Sequence, residues 1–303
     1  MHKSGFVNIL GWPNAGKSTL LNELLGEKLS IITPKIQTTR HRIKGILSTE
    51  EYQIVFSDTP GTIEKPSHKL HESMMNYVTQ SIEDADVFIY VIDISDDWRP
   101  DDYSEKIMKS GVPVILVLNK IDLVDQDKVL SKTEEMRELL KPQYVVPMSA
   151  SQKFNTQELL NLITNLLPVG EAFYDKEQLT DKSERFIAAE MVREKILLNY
   201  REEIPYSVEI GISSFKDSPE ILKIEAEIYV MRDSQRIILI GNGGSGLTRV
   251  GTAARKDMEA FWGKKVFLRL FVKVKKDWRD VRTNRLLESI LCCKDKTVQG
   301  LSF

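Results

Sequence analysis

Residues 11–18 read GWPNAGKS, which matches the pattern G-x-x-x-x-G-K-[ST] between a predicted strand and a predicted helix. Backbone N–H groups in such a loop, at the start of a helix, form a nest for phosphate oxygens. The lysine would reach the β- and γ-phosphates, and the serine hydroxyl would ligate Mg²⁺. A chance glycine turn is the alternative. The predicted phosphate loop consists of Gly11, Trp12, Pro13, Asn14, Ala15, Gly16, Lys17 and Ser18.

A second motif, DTPG, follows an apolar run that ends at Ser57. Asp58 stands where a carboxylate would hold Mg²⁺ through a water molecule, and Gly61 can offer its N–H to a γ-phosphate. A loop of this kind distinguishes GTP from GDP. The residues expected at the nucleotide are Asp58, Thr59, Pro60, Gly61 and Thr62.

Two further motifs indicate guanine. Asp122, in the motif NKID, can accept hydrogen bonds from the N1–H and N2–H of guanine, and adenine has no such pair of donors. The dipeptide Ser149-Ala150 follows the next short strand and would supply a backbone N–H to the guanine O6. The expected base-binding residues are Asn119, Lys120, Ile121, Asp122, Ser149 and Ala150.

The segment QTTRHR at 37–42 contains two candidates for the threonine that ligates Mg²⁺ and contacts the γ-phosphate. Thr39 is the expected ligand. Thr38 remains the alternative, because either hydroxyl could instead satisfy a turn. The predicted metal ligands are Ser18, Thr39 and Asp58.

No glutamine follows DTPG to orient an attacking water, because Thr62 and Ile63 occupy those positions. Slow hydrolysis is therefore expected, with Lys17, Thr39 and Asn14 as the catalytic candidates and positioning and charge neutralisation as the main contributions. Some cation-dependent GTPases use an asparagine at this position of the phosphate loop to hold K⁺. The alternative is that Asn14 only tolerates an unusual loop conformation.

The elements that must position these motifs alternate between strand and helix over the first ~165 residues. Apolar runs at 6–10, 52–57, 87–92, 112–118 and 144–147 are typical of buried strands, and 18–25, 132–140 and 156–167 are typical of helices. This alternation predicts an α/β domain with a mostly parallel sheet and helices on both faces.

The C-terminal part has a different order, α-β-β-α-α-β, which predicts an α+β domain. Its first helix spans 184–200, and Ile224, Ala226, Ile228 and Val230 alternate along one strand. A glycine cluster at 241–246 precedes a helix that ends near 261, and a last strand begins near 266.

The net charge of the whole chain is only −2, but the charged residues are distributed unevenly between its two parts. Apolar residues make up 42% and charged residues 28%, which is typical of a soluble folded protein. Between Arg232 and Arg282, 13 Lys and Arg stand against 5 Asp and Glu. That excess predicts an anionic partner, RNA or a membrane surface, unless it is only a solvated face. No signal peptide or apolar run of ~18 residues is present, so a cytoplasmic protein with its two cysteines reduced is expected.

The chain resembles the Era family of bacterial GTPases over nearly its whole length. The motifs are GWPNAGKS at 11–18, QTTRHR at 37–42, DTPG at 58–61, NKID at 119–122, QLTDKSERF at 178–186 and KKVFLRLFVKVKKDWR at 264–279. The resemblance implies a P-loop GTPase domain at 1–168, a linker at 169–183, a type II KH domain at 184–282 and a tail at 283–303. It also implies binding to the 3′ region of small-subunit ribosomal RNA and assistance in assembling that subunit.

A KH domain clamps the backbone of about four nucleotides with a G-x-x-G loop between two helices. Here that loop is Gly241-Asn242-Gly243-Gly244, and Arg249 and Arg255 on the next helix could meet phosphates. The family usually has a basic residue inside the loop, so Asn242 departs from its pattern. The alternative is a glycine-rich turn between helices.

The favoured function is a GTP-dependent switch acting on RNA, with GTP, GDP, Mg²⁺ and K⁺ as the expected ligands. No obligate protein partner is implied, and peripheral contact with the inner face of the cell membrane is a further expectation. One rival is a related GTPase that works in transfer-RNA modification, which lacks a KH tail. The other is an RNA-binding scaffold whose nucleotide only stabilises the fold.

Overall fold

A computed structural model describes residues 1–36, 38–62 and 69–276 and the backbone of 297–299. Contacts divide the chain into two compact units, with the division near Asp181. Among these residues no helix is both long and apolar enough to cross a membrane. The predicted tail at 283–303, which includes Cys292 and Cys293, lies outside the described residues except for 297–299.

The first unit is built on one sheet with the strand order β11-β7-β2-β3-β1-β4-β5-β6. Strands β1, β3, β4, β5 and β6 run parallel, whereas β2 is antiparallel to β3 and β7. Its elements are β1 (Lys3–Gly11), α1 (Lys17–Leu25), β2 (Ile43–Ser48), β3 (Tyr52–Asp58), α2 (Lys69–Glu83), β4 (Val87–Asp93), α3 (Asp102–Met108), β5 (Val114–Asn119), α4 (Gln126–Leu140), β6 (Tyr144–Pro147), α5 (Thr156–Leu166), β7 (Gln178–Ser183) and β11 (Thr297–Gln299).

The parallel strands bring the predicted motifs to one edge of the sheet. Every residue of β4 is buried, as expected for a strand covered on both faces. The register pairs Ile9 with Asp58 and Asp93 with Asn119, so these strands end side by side. Loops at the carboxyl ends of such strands commonly form ligand sites. The predicted α/β domain is confirmed.

The second unit has the predicted order α-β-β-α-α-β. Its three-stranded sheet has the order β10-β9-β8. Ile224, Ala226, Ile228 and Val230 are all fully buried, which confirms the predicted alternation. The elements are α6 (Glu184–Asn199), β8 (Glu209–Asp217), β9 (Ile221–Val230), α7 (Asp233–Ile240), α8 (Ser245–Trp262) and β10 (Lys265–Val274).

The segment predicted as a linker, 169–183, contains β7, which the sequence did not indicate. The sequence of β7, QLTDKS, is polar and lacks a continuous apolar alternation. The strand forms because it pairs with β2, where the Thr180 hydroxyl also donates to the Lys44 carbonyl at 2.6 Å. Such pairing is a long-range contact, and local patterns cannot reveal it.

Candidate functional site

The loop between β1 and α1 has the backbone that a phosphate nest requires. Gly11 and Gly16 have φ values of 142° and 96°, and Asn14 has a φ of 61°. A Cβ on Gly16 would stand 2.2 Å from Nδ2 of Asn119, so only glycine fits this approach. The loop leads directly into the first turn of α1, where free N–H groups favour an anion.

Lys17 is the first residue of α1, and its side chain, which contacts the loop, is buried, with the residue 6% exposed. Its Nζ donates to the carbonyl oxygens of Gly11 at 2.9 Å and Trp12 at 2.7 Å. Burial lowers the pKa of Lys17 to about 8, although the nearby Asp58 carboxylate opposes the shift. A desolvated ammonium held in place by backbone carbonyls would interact strongly with a phosphate in this low-dielectric environment.

The three predicted metal ligands converge. The Ser18 hydroxyl donates to Oδ2 of Asp58 at 2.6 Å and lies 3.0 Å from the Thr39 hydroxyl, which is 3.4 Å from the same Oδ2. Oδ1 of Asp58 is buried and accepts no hydrogen bond from the described residues. Hydroxyl and carboxylate oxygens are the donors that Mg²⁺ prefers, and an orphaned buried carboxylate oxygen is one that a hydrated Mg²⁺ would satisfy. These residues therefore fit the ion.

The surroundings of the two adjacent threonines differ. The Thr38 hydroxyl donates to the Lys35 carbonyl at 2.6 Å and lies 2.6 Å from the Thr33 hydroxyl. The Thr38 hydroxyl thus bonds within its own turn, which is the alternative role predicted for one of the two threonines. Thr39 is the threonine that faces Ser18 and Asp58.

The base-binding motifs are linked to the phosphate loop through Asn119. Its Nδ2 donates to the Ala15 carbonyl at 2.8 Å, and its Oδ1 accepts from the Ala150 N–H at 3.0 Å. Of the two backbone N–H groups in Ser149-Ala150, the dipeptide predicted to supply one to the guanine O6, that of Ala150 is therefore bonded to Asn119. Lys120 has a φ of 66° and pairs with Asp93.

Asp122 is exposed in the middle of a 3-10 turn, Ile121–Leu123. One of its carboxylate oxygens accepts a short hydrogen bond from the Ser149 hydroxyl. This bond orients the carboxylate, which is what selective pairing with two donors on one base edge requires. The role of Ser149 as a support for Asp122 was not evident from the motif alone.

The loop after β3 lies against the phosphate loop. A Cβ on Gly61 would stand 2.7 Å from the backbone nitrogen of Pro13, so this position requires glycine. The Thr59 hydroxyl donates to the Ile9 carbonyl at 2.8 Å. The Thr62 hydroxyl is 3.5 Å from Oδ2 of Asp101, which also accepts from Nε1 of Trp12 at 2.9 Å. Ile63 lies outside the described residues.

A cavity of about 350 Å³ opens between the phosphate loop and the segment 31–39. Lys17, Ser18, Thr39, Gly61 and Lys120 line it, together with Asn14. Nδ2 of Asn14 donates to the Pro34 carbonyl at 3.2 Å. A concave site with convergent polar groups is the expected form of a small-molecule site.

In the second unit, Gly241-Asn242-Gly243-Gly244 forms the turn between α7 and α8. Its glycines have φ values of 70°, 57° and 82°, in the left-handed region that favours glycine. A Cβ on Gly243 or Gly244 would meet nothing within 4 Å, so both face open space. The backbone here can be approached closely, which the clamping of an RNA backbone requires.

A groove of about 430 Å³ runs from this turn between α8 and β10. Gly244, Gly251, Arg255 and Arg269 are among its lining residues. Arg255 also pairs with Glu259 at 2.7 Å, the structural alternative to a purely RNA-binding role. Arg249 is exposed elsewhere on α8. Arg269 was not predicted as a site residue. The signal that could have indicated it is its position on the charged face of the last strand.

Two family descriptions match the chain. Residues 6–120 match the family described as 50S ribosome-binding GTPase, and residues 203–279 match the KH domain. The chain is also 41% identical to the GTPase Era of Staphylococcus haemolyticus over 282 residues, which cover 92% of this chain and 94% of that protein.

Two solved structures are similar over both units. A crystal structure of Era with MgGDPNP and nucleotides 1506–1542 of 16S ribosomal RNA is 40% identical, with a TM-score of 0.89, and the match covers 96% of this chain and 99% of that one. A variant of Aquifex aeolicus Era bound to GDP and AlF4⁻ is 40% identical, with a TM-score of 0.88 and coverage of 95% and 98%.

Proposed function

This chain belongs to the Era family of GTPases, and on that basis we propose that it is a GTP-hydrolysing switch that binds the 3′ region of small-subunit ribosomal RNA and assists assembly of that subunit. The chain is a GTPase that uses Mg²⁺. The observation that carries the RNA part is the likeness, at 40% identity, to an Era structure that holds nucleotides 1506–1542 of 16S ribosomal RNA. The rival role in transfer-RNA modification does not account for the KH match at 203–279.

We assign the nucleotide contacts from the geometry of the site. The backbone N–H groups of residues 11–18, apart from Pro13, and the Lys17 ammonium would hold the phosphates. The oxygens of Ser18, Thr39 and Asp58 would surround Mg²⁺. Bound there, the ion would neutralise charge on the phosphates. Asp122 would read guanine, with Asn119 holding the phosphate loop beside the base loop.

Hydrolysis would be slow. Thr62 stands where a water-orienting glutamine is found in Ras-like GTPases, and its hydroxyl faces Asp101. Catalysis would then rest on fixed positive charge and on positioning. Asn14, next to the Pro34 carbonyl, is the residue we propose to place K⁺ near the transferring phosphate.

RNA would lie in the groove between α8 and β10, with its backbone against Gly241–Gly244. Arg255 faces this groove, and Arg249 would meet phosphates outside it. Asn242 lacks the charge usual in this family, so the start of α8 and the arginines would supply the attraction for the RNA backbone.

We further propose domain boundaries at 168, 183 and 282. Mass spectrometry of the fragments from limited proteolysis tests these boundaries.

We place the protein in the cytoplasm, with peripheral contact to the inner face of the cell membrane as a finer proposal. The basic region 232–282 supports it, because anionic lipids attract clustered Lys and Arg. Sedimentation with anionic vesicles at physiological salt tests it, and no cosedimentation there would contradict it.

The function is tested by crosslinking to RNA in cells, followed by RNA titrations with purified protein in the GDP state and with a non-hydrolysable GTP analogue. We expect crosslinks near the 3′ end of small-subunit ribosomal RNA and different RNA affinities in the two nucleotide states. Equal affinities in both states, with normal GTP turnover, would contradict the switch and favour a scaffold.

A further inference from the structure

The solvent-facing side of β10 carries an alternation of cationic and aromatic residues. Its odd-numbered side chains, Lys265, Phe267, Arg269, Phe271 and Lys273, point away from the core, and we call them the outer face of β10. Phe267 is 46% and Phe271 40% exposed, although both are large apolar side chains. The even-numbered residues are less exposed and face the other way. Within the part of the chain that the structure describes, packing does not explain two phenylalanines on the open side of a strand.

Charge on this side of the sheet is mostly positive. Strands β9 and β10, together with Lys275 directly after β10, contribute five cationic side chains, whereas Glu225 and Glu227 are the acidic ones on the same side of these two strands. Glu225 pairs with Arg269 at 3.1 Å and Glu227 with Lys273 at 2.6 Å. The cationic side chains are Lys223, Lys265, Arg269, Lys273 and Lys275.

The aromatic rings lie among these cations. The Arg269 guanidinium is 5.6 Å from the centre of the Phe267 ring, and the Lys275 ammonium is 5.6 Å from the centre of the Tyr229 ring. Phe267 and Phe271 are about 13 Å apart along the strand, so each can take its own base. Sites that bind single-stranded nucleic acid combine two features, which are aromatic rings for base stacking and a positive electrostatic field.

The outer face also continues from the groove. Strand β10 is the edge of the three-stranded sheet, and Leu268, Arg269 and Leu270 line the groove on its other side. A strand of RNA that leaves the groove past β10 therefore meets Phe267 and Phe271 next. Arg269 belongs to both surfaces.

We propose that the outer face of β10 is a second contact for single-stranded RNA, on which bases flanking the groove-bound segment stack. This inference rests on the proposed RNA-binding function of the groove. A lipid surface fits less well, because inserting the two rings would draw Glu225 and Glu227 toward the membrane.

The test compares RNA lengths, because the groove alone should take about four nucleotides. A tetranucleotide and a strand of about twelve nucleotides that contains it would be titrated against the protein and its Phe267→Ala/Phe271→Ala variant. We expect the double variant to bind the longer strand roughly tenfold to hundredfold more weakly and the tetranucleotide equally well. A longer strand with abasic residues outside its central four positions should bind the parent more weakly by the same factor. The same abasic residues should cause no further loss of affinity in the double phenylalanine variant.

The matched controls separate stacking from loss of apolar surface. Phe267→Tyr/Phe271→Tyr should retain the affinity, because tyrosine also stacks. Leu130→Ala/Leu139→Ala removes exposed side chains from α4 in the first unit and should leave both RNA affinities unchanged.

Two results would contradict parts of this interpretation. If the phenylalanine variant binds the longer strand like the parent while Gly244→Asp binds neither RNA, the proposal of a stacking surface is wrong, whereas the groove is supported as an RNA site. If Gly244→Asp binds both RNAs normally, the groove itself is wrong. A loss of vesicle binding or self-association without a loss of RNA affinity would assign the surface to another occupant and overturn the proposal.

Discussion

At the residue scale, two carboxylates of the nucleotide site have opposite surroundings. Asp58 is fully buried, and burial raises its pKa against the opposing effects of the Ser18 hydrogen bond and the Lys17 charge. Asp122 is exposed and oriented by the Ser149 hydroxyl. The buried carboxylate is suited to a cation, and the exposed one to the neutral N–H groups of a base. The two residues therefore give separable predictions.

Asp122→Asn should weaken GTP binding by about a hundredfold or more and shift preference toward xanthine nucleotides, because the amide replaces an acceptor with a donor. Titrations with GTP and XTP measure both effects. Asp125→Asn, which changes the exposed N-cap of α4, is the control and should leave nucleotide affinity unchanged. An unaltered GTP affinity in the Asp122 variant would show that this motif does not read the base.

Asn14 gives a prediction about cations. If its side chain positions K⁺, GTP hydrolysis should be faster in potassium than in sodium at equal ionic strength, and Asn14→Ala should remove the difference. Turnover rates of the two proteins in both salts are the measurement. Equal rates for the unaltered protein would mean that Asn14, with its φ of 61°, serves only the loop conformation.

At the element scale, Arg42 ties the start of β2 to the end of α2. Its guanidinium donates to both carboxylate oxygens of Asp84, at 2.6 and 2.8 Å, and to the Ser57 hydroxyl at 2.9 Å. Partial burial would raise the pKa of Asp84, but the bonds from Arg42 outweigh it and hold that pKa below its ordinary value. A bidentate arginine pair of this kind fixes geometry as well as adding energy.

Asp84→Asn should therefore lower the free energy of unfolding at pH 7 by about 1–3 kcal/mol, toward the lower end because the Asp84 side chain is 43% exposed. Since the folded pKa lies below the unfolded one, the stabilisation is present above pH ~4 and is lost as pH falls through the folded pKa. The difference in the free energy of unfolding between the parent and the variant should therefore become smaller as the pH falls. Denaturant unfolding at several pH values measures this difference. Asp97→Asn, at an exposed position, is the control. A gap that is constant down to pH ~3 would contradict the ion-pair explanation.

At the scale of the whole molecule, the proposed nucleotide site and the proposed RNA site lie in separate compact units, each with its own buried core. Gly244→Asp should abolish RNA binding and leave nucleotide affinity intact. The substitution meets no neighbouring atom, but it adds a negative charge where phosphate must approach and a side chain at a φ of 82°. RNA and GTP titrations of one preparation, with a melting curve, check this. A folded variant that binds RNA like the parent would refute the clamping role of the loop.

Arg255→Ala distinguishes two roles of the Arg255 side chain, which are contact with an RNA phosphate and the ion pair with Glu259. If Arg255 contacts phosphate, its loss should weaken RNA binding and lower the slope of log affinity against log salt by roughly one. If the pair with Glu259 is its main role, stability should fall while that slope stays constant. RNA affinity at several salt concentrations, beside the melting temperature, distinguishes the two outcomes.

The sequence alone determined the chemistry of the nucleotide loops. In GWPNAGKS and NKID the functional groups are a few residues apart, so chain geometry places them together once a strand precedes them. It also determined the order of elements in both units, because buried strands and amphipathic helices have local periodicities. The family followed from these motifs and not from composition.

Only the tertiary structure decided which groups from distant segments meet. The hydroxyls of Thr38 and Thr39 are equivalent in the sequence, but the fold turns one toward Lys35 and the other toward Asp58. In the same way it joined Asn119 to Ala15 and paired β7 with β2. The Thr38–Lys35 bond is local, but each of the other contacts joins segments that are far apart in the chain, and its partner is set by the register and burial of the packed elements. Local sequence patterns carry no information on such pairings, which is why these could not be predicted.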